Sequence, residues 1–227
     1  MVEFQSSSAQ GGHGGVINIQ AINCQVYINQ CTFTGATAIN DVRLNKQYEG
    51  SVLYSAYKDF SLLLQFSTIT CINPYDYAVV LNAVNTGTSG IAGALYIANS
   101  ISGVRTSTNT IKFCYNAFRG GAVSIVKTTL TDYNTYYHNN SAWIGGSLYS
   151  DFATLNIDTS AFYNNFAVHG GAIAIDNYID ATFKSTPLYQ NNATNTGGSF
   201  MIIKSDFFNP VPASSVTFDT IESIYAS

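Results

Sequence analysis

Charged side chains are scarce in this sequence. Of its 227 residues, 9 are Lys or Arg and 13 are Asp or Glu, so 10% of the chain is charged, against roughly 25% in a typical soluble domain. The basic residues form no cluster, and a nucleic-acid partner, which requires a basic surface for its phosphates, is therefore not expected. The surface must consist largely of uncharged polar groups, to which 22 Asn residues contribute.

Long apolar runs, leucine and proline are also rare. No apolar run approaches the ~20 residues that span a bilayer, so no membrane-spanning segment is expected. Residues 1–15 contain no basic segment followed by an apolar one, and no signal peptide is expected. The chain has 11 Leu and 4 Pro, and no apolar stripe of helical period, so neither helical packing nor a leucine-rich horseshoe fits it.

What the sequence does contain is an internal repeat. Each unit has an aromatic or apolar residue, an Asn pair, a short polar stretch, a Gly-Gly and an alternating apolar run, as in residues 136–151, 161–176 and 187–202. The second Gly of each unit serves as a marker, and in the regular part these markers recur at nearly equal intervals. The markers are Gly121, Gly146, Gly171 and Gly198, with weaker and more widely spaced copies led by Gly15, Gly50 and Gly93. A repeat of this length indicates a solenoid.

The apolar residues within each unit alternate with a period of two, which is typical of β-strands. Short strands without a crossover helix can stack only as parallel sheets. The sequence therefore predicts an all-β fold, a right-handed parallel β-helix of the pectin-lyase-like kind with about seven coils. We expect one domain over residues 1–227, with regular coils at 93–203, weaker coils with insertions at 15–92 and an incomplete last coil at 204–227.

The paired signatures FYNN (residues 162–165) and GGAI (residues 170–173) resemble the repeats of the chlamydial polymorphic outer membrane proteins and of related repeat proteins in some protists. The resemblance extends over residues 93–203 and, more loosely, over residues 15–50. It implies a surface-displayed β-helix, often an adhesin, with no catalytic residues. An extracellular or cell-surface location is the corresponding expectation.

Residues at the same place in successive coils lie one above the other, so repeated residues form ladders. Asn at the coil turns predicts a structural ladder, because Asn tolerates the left-handed backbone and can hydrogen-bond to the coils above and below. The predicted members are Asn73, Asn116, Asn139, Asn164 and Asn191. A structural role is favoured over ligand binding. The Gly-Gly pairs are interpreted as a close approach between coils, since a strand and not a phosphate-binding helix follows them.

The four cysteines are interpreted as interior residues. Their spacings match no zinc motif of the C-x-x-C kind, and no metal or cofactor is expected. Adjacent in-register strands seldom have disulfide geometry, so free buried thiols are expected. The predicted interior stack lies two positions before the Asn ladder and consists of Cys71, Cys114, Tyr137, Phe162 and Tyr189, with Cys31 as a further candidate.

The carboxylates Asp151 and Asp176 are the candidate catalytic residues. Each lies five residues after the second Gly of its coil, so the two are expected to stack about 5 Å apart. Such a pair can share a proton, hold a cation or act as acid and nucleophile of a retaining glycosidase. The motifs of polygalacturonases and of calcium-dependent pectate lyases are absent. Stacking without catalysis is the preferred interpretation, with Lys204 as a candidate counter-charge.

Histidine and threonine point to no further site. His13, His138 and His169 do not share a column, and all three are interpreted as solvated turn residues. The Thr residues of CTFTG, STIT and TNTIK are not expected to recur in one column, so an ice-binding solenoid is not favoured.

Two functions remain open. The first is a structural or adhesive module of a surface or extracellular filament, which binds glycans or neighbouring chains through aromatic and Asn/Thr-rich faces; the 16 Tyr and 14 Phe support it. The alternative is a polysaccharide lyase or glycoside hydrolase that uses the stacked carboxylates. An enzyme is the less favoured of the two. Ligand contacts are expected on the insertions 39–50 and 80–93.

Two further expectations concern modification and assembly. Asn139 and Asn192 begin N-glycosylation sequons, which suits a secreted protein. Neither terminus resembles a solenoid cap, and we expect the open ends to be covered by self-association or by further coils of a longer chain.

Overall fold

The computed structural model describes residues 2–5, 8–10, 16–19, 24–35, 37–39, 52–55, 60–71, 93–177, 179–203 and 215–220. All regular structure in these ranges is β-strand, and no helix forms within them. The predicted all-β class is therefore confirmed.

The strands are short, with two to five residues each. Strands β1 to β9 are Val2–Gln5, Ser8–Gln10, Ile17–Ile19, Gln25–Asn29, Cys31–Thr34, Thr37–Ile39, Leu53–Ser55, Ser61–Gln65 and Thr68–Thr70. Strands β10 to β18 are Leu95–Ala98, Val104–Ser107, Thr110–Lys112, Tyr115–Arg119, Val123–Val126, Thr129–Tyr133, Tyr136–His138, Ser141–Ile144 and Leu148–Asp151. Strands β19 to β27 are Thr154–Asp158, Ala161–Tyr163, Phe166–His169, Ile173–Asp176, Asp180–Lys184, Leu188–Tyr189, Asn192–Thr196, Phe200–Ile203 and Ser215–Asp219.

The strands form three seven-stranded sheets and one four-stranded sheet, all of them parallel, with a further pair of β2 and β6. Sheet I is β1-β5-β9-β12-β16-β20-β24, and sheet II is β3-β7-β10-β14-β18-β22-β26. Sheet III is β4-β8-β11-β15-β19-β23-β27, and sheet IV is β13-β17-β21-β25. Seven strands in each of the three long sheets agree with the predicted seven coils, so the chain is a parallel β-helix.

In the regular part the chain visits sheets IV, II, III and I in turn, as in β13, β14, β15 and β16, before it returns to sheet IV with β17. Each strand pairs with its counterpart one coil later. Leu148 pairs with Ile173, for example, and Thr129 pairs with Thr154, so register partners occupy the same place in successive sequence repeats. The repeat marked by Gly-Gly in the sequence is thus one coil of the solenoid.

Each corner of the coil is made by one residue in the left-handed backbone region. At three corners this residue is usually not glycine: among the described residues, fifteen that are not glycine have a φ between 45° and 58°. The corner from sheet IV to sheet II uses Gly-Gly instead. A Cβ on Gly121 would lie 2.2 Å from the carbonyl oxygen of Gly146, which belongs to the next coil. Only glycine permits this close stacking of corners.

The interior is filled by columns of apolar side chains. Along sheet II, Leu53, Leu95, Val123, Leu148 and Ile173 lie one above another and are at most 1% exposed. Burial of each such side chain contributes roughly 1.5–3 kcal/mol of transfer free energy. The same arrangement recurs inside sheets I and III, so the central coils bury apolar side chains from three directions. The buried residues are Ile69, Ile111 and Phe162 in sheet I and Leu62, Leu130 and Leu155 in sheet III.

The predicted interior stack is correct in its centre and wrong at its ends. Tyr137 and Phe162 stack inside sheet I with ring centroids 4.6 Å apart. In the next coil the interior position belongs to Leu188, which pairs with Phe162, whereas Tyr189 pairs with Tyr163 on the outward side. The two cysteines of the predicted stack follow strands β9 and β12 and lie at the corner that comes after sheet I.

The expectation of free thiols is wrong for one pair of cysteines. Cys71 and Cys114 form a disulfide between adjacent coils, with a Cα–Cα distance of 4.8 Å. Both residues come after the paired strands β9 and β12, so the fixed side-chain directions of two in-register strands do not apply to them. Cys24 and Cys31 are free and half-buried.

Candidate functional site

The carboxylate pair stacks as predicted. Asp151 and Asp176 are the last residues of β18 and β22, and they are register partners. Both are half-buried. Their column continues with Val126 on one side and Ile203 on the other. The two acids therefore lie side by side between apolar neighbours.

Each carboxylate has a hydrogen-bond partner within the protein. Arg119 Nη1 donates to the hydroxyl oxygen of Tyr149 at 2.9 Å, and the hydroxyl of Tyr149 donates to Asp176 Oδ2 at 3.4 Å. The Arg119 guanidinium also lies over the Tyr149 ring, 4.8 Å from its centroid. Asp151 Oδ1 accepts a hydrogen bond from Asn177 Nδ2 at 3.1 Å. Arg119 and Tyr149 were not among the predicted site residues, because they become neighbours of the acids only through the stacking of coils.

The surroundings of Asp176 raise the pKa of its carboxyl group. Burial raises the pKa of Asp176, and the charge of Asp151 raises this pKa further, while Arg119 and the hydrogen bonds from Tyr149 and Asn177 oppose the shift. Burial also raises the pKa of Tyr149, so its hydroxyl stays protonated and acts as a donor at neutral pH. A carboxyl group with a raised pKa beside a second carboxylate is the pairing that glycoside cleavage uses.

A ladder of buried asparagines runs along the corner between sheets I and IV. Asn140, Asn165 and Asn191 are at most 1% exposed. The side-chain oxygen of each accepts a hydrogen bond from a backbone N–H of the preceding coil, donated in turn by Cys114, Asn140 and Asn165, all at 3.0 Å. The side-chain NH₂ groups donate to the carbonyl oxygens of Ile111, Tyr137 and Phe162. The ladder satisfies corner backbone groups that no strand ladder reaches.

The predicted ladder combined three columns, but its left-handed corner position is confirmed for two of its members. Asn139 and Asn164 precede the buried column and occupy the left-handed corner position, each with a φ of 53°. Asn191 belongs to the buried column, and its coil has Gln190 at the corner. Asn116 pairs with Ala142 in sheet IV.

The outward face of sheet I, which we call the sheet I face, carries a stack of aromatic rings. His138 and Tyr163 stack with centroids 4.7 Å apart, and Tyr163 and Tyr189 with centroids 5.2 Å apart, both with nearly parallel planes. Because the rings cover one another's faces, the stack offers ring edges and hydroxyl groups to solvent. Tyr136 lies on the same strand as His138 and is 46% exposed.

The sheet I face also carries an array of threonines, contrary to the expectation from the sequence. Thr32, Thr68 and Thr110 are register partners in three successive coils, and Thr34 and Thr70 form a second column two residues further along the strands. The sequence repeat does not show these columns, because the insertions make the separations between successive members longer than one regular repeat.

The two described histidines do not lie in solvated turns. His138 ends strand β16 and is half-buried, and burial together with the charge of Lys112 lowers its pKa to about 4. His169 ends strand β21, with its Nδ1 2.7 Å from Thr196 Oγ1. The two belong to different sheets, as the prediction of separate columns requires.

A further acid, Asp132, lies in the interior and was not among the predicted site residues. It points into the core from β15, is 1% exposed and accepts a hydrogen bond from Thr106 Oγ1. Burial raises its pKa, and both burial and Asp132 raise the pKa of Tyr137. The alternation of β15, in which Leu130 and Asp132 share a side, is the signal that places Asp132 inside.

The two predicted glycosylation residues differ in exposure. Asn192 is exposed at the start of β25. Asn139 is half-buried, and its Nδ2 lies 2.9 Å from Nδ1 of His138. Modification at either position stays a prediction, and the geometry favours Asn192 as the acceptor.

Several predicted features lie outside the described residues. They are His13, Asn73, Lys204 and the insertions 39–50 and 80–93 apart from Ile39 and Gly93.

The described ranges contain no group of three or more His, Cys, Asp or Glu side chains placed to hold a metal ion. No helix long and apolar enough to cross a membrane forms within them.

Comparison of the whole chain with protein-family models, curated proteins and solved structures found no match.

Proposed function

We propose that this chain is a structural or adhesive module of a cell-surface or extracellular filament, and that it binds glycans or neighbouring chains through the sheet I face. The observation that carries the proposal is the composition of that face. Five threonines in two columns lie in its N-terminal half, and stacked aromatic rings with an exposed Tyr136 lie in its C-terminal half. Lys112, at the end of β12, lies between the threonine half and the aromatic half of this face and adds a positive charge to it.

Hydroxyl groups and aromatic rings are the groups that recognise sugars and polar protein surfaces. On this face they are held by parallel strands about 4.8 Å apart, so their positions are fixed along the solenoid. A rigid array of this kind lets an extended ligand make the same contact in several coils. The resemblance of the repeat to those of surface-displayed adhesins supports the same proposal.

A variant of Tyr136 tests this proposal. We expect Tyr136→Ala to weaken binding of the chain to its best ligand on a panel of immobilised neutral glycans by about fivefold, because one exposed ring contributes about 1 kcal/mol. The matched control is Tyr133→Ala, which removes a ring that is 53% exposed on sheet III. Equal loss in both variants, or no glycan binding together with no self-association in sedimentation, contradicts the proposal.

A second candidate, glycoside hydrolysis, rests on the stacked Asp151 and Asp176 and on the raised pKa of Asp176. In this alternative Asp176 donates a proton to the leaving oxygen and Asp151 attacks the sugar carbon. Against it, both acids are engaged by neighbouring side chains. Release of reducing ends that Asp176→Asn abolishes and Asp158→Asn leaves intact would establish the enzyme; no release from the wild type excludes it for the glycans tested.

A further inference from the structure

Two shallow grooves lie along sheet III, on a different surface from the sheet I face. The first has a volume of about 410 Å³ and is lined by residues of three N-terminal coils, with Tyr27 and Arg105 on its wall. The second has a volume of about 390 Å³ and is lined by residues of the following coils, with Lys127 and Phe152 on its wall. Each groove thus combines one basic side chain with one aromatic ring.

The two grooves share one column of the sheet. Gln25, Ser61 and Gly103 line the first groove, and Thr129 and Thr154 line the second. Gln25 pairs with Ser61, and Thr129 with Thr154, in parallel register. A Cβ on Gly103 would lie 3.2 Å from the carbonyl oxygen of Thr129, so these two residues, one from each groove, are neighbours in adjacent coils.

We call the two grooves together the sheet III trough. It extends over five coils, a length of about 20 Å at the spacing of parallel strands. Its floor is formed mainly by small hydroxyl-bearing or side-chain-free residues. Asp180, which follows Thr154 in the column and accepts hydrogen bonds from Ser215, ends the trough.

The basic side chains of the trough have no acidic partner among the described residues. The one ion pair within the described ranges joins Lys184 to Asp158 at 3.9 Å. Arg105 and Lys127 are both exposed, and no described carboxylate lies within salt-bridge distance of either. In a chain with a net charge of −4, two cations without acidic partners in successive coils mark a place where negative charge is accepted.

We propose that the sheet III trough binds a linear anionic glycan, with its acidic groups on Arg105 and Lys127. Arg and Lys form charge-assisted hydrogen bonds with carboxylate and sulfate oxygens. The rings of Tyr27 and Phe152, 61% and 39% exposed, present apolar surface to sugar rings. The hydroxyls along the floor accept and donate hydrogen bonds as sugar hydroxyls require. The site is separate from the sheet I face, so the two proposals can fail independently.

Binding to polygalacturonate and to heparin, each against dextran as the neutral control, tests the proposal. The two polyanions distinguish a preference for carboxylate from one for sulfate. We expect binding to at least one polyanion at low ionic strength and none to dextran through this site. At 1 M salt, where the Debye length is about 3 Å, binding should be lost. Arg105→Gln and Lys127→Gln should each weaken binding about fivefold, and the double variant more than tenfold.

Two controls keep the result interpretable. Lys184→Gln removes an exposed cation outside the trough and should leave polyanion binding unchanged. Thermal unfolding verifies that each variant folds. The proposal is overturned if neither polyanion binds, if the trough variants bind like the wild type, or if a thymidine oligonucleotide of equal length binds as tightly as the glycans.

Discussion

At the scale of the residue, the corners of the coils determine which side chains are under strain. A left-handed backbone conformation costs an L-residue roughly 1–2 kcal/mol, and this cost is smaller for Asn than for most other residues. Asn occupies the position at residues 99, 134, 139, 164 and 177, but Phe occupies it at 66, 113 and 152. The phenylalanine corners are therefore the places where a single substitution should stabilise the protein.

Phe66→Asn should raise the free energy of unfolding by about 0.5–1 kcal/mol, because Phe66 has a φ of 47° and its side chain is 57% exposed. Chemical denaturation measures the change. The control, Phe66→Ala, removes the ring but keeps a Cβ in the strained conformation, and it should give no such gain. A stability gain of equal size in both variants would mean that the exposed ring, and not the backbone, is the source of the effect.

His138 should make the protein sensitive to mild acid. Its pKa in the folded state is about 4, lowered by burial and by the charge of Lys112. The pKa of histidine in an unfolded chain is about 6.5. The unfolded state therefore binds the proton first, so stability is full above pH 6.5 and falls as the pH decreases toward 4. We expect His138→Phe, which keeps an aromatic ring in the stack, to lose less stability than the wild type between pH 7 and 4. The assignment is refuted if the free energies of unfolding of the two proteins fall by the same amount between pH 7 and 4.

At the scale of the element, the sequence shows which segments are strands but not their register across an irregularity. From Gly171 to Gly198 the Gly-Gly marker advances by one residue more than the buried Asn does from Asn165 to Asn191. The structure absorbs the difference in a register shift between Ala167 and His169, where β21 pairs with β25. An alignment without that bulge assigns Asn191 to the wrong column.

The buried Asn ladder should be the most sensitive part of the corners. Asn165→Ala leaves the N–H of Asn140 and the carbonyl of Tyr137 without their partners, and should cost about 2–3 kcal/mol of unfolding free energy. The neighbouring Asn164→Gly keeps the left-handed corner and removes an exposed amide, so it should cost much less. A larger loss for the Asn164 variant would show that the corner conformation, and not the ladder, dominates stability.

In the candidate site, too, the sequence repeat predicts some contacts, and only the three-dimensional structure shows the others. The stacking of Asp151 on Asp176 follows from equal distances to the Gly marker, and the sequence predicts it correctly. The contacts of Arg119 and Tyr149 with this pair arise between sheets of different coils, which periodicity does not encode. The disulfide and the threonine columns could not be predicted either, because the insertions disguise which coils are adjacent.

At the scale of the whole molecule, the described structure is nearly one-dimensional: coils contact their neighbours above and below through parallel ladders. In such a solenoid, stability is approximately a sum over coils and their interfaces. The regular part is therefore expected to tolerate the loss of one complete coil, provided that every later residue keeps its column.

Deletion of residues 142–166 tests the solenoid most directly, because it removes one complete coil and joins Ser141 to Ala167, the residue that follows its register partner. We predict that this variant keeps a β-sheet circular dichroism spectrum and unfolds cooperatively, at a somewhat lower denaturant concentration than the wild type. Deletion of residues 142–153, about half a coil, should abolish the cooperative transition, because all later side chains leave their columns. Loss of folding in the full-coil variant, or equal stability of the two variants, would contradict the stacked-coil structure on which every site described above depends.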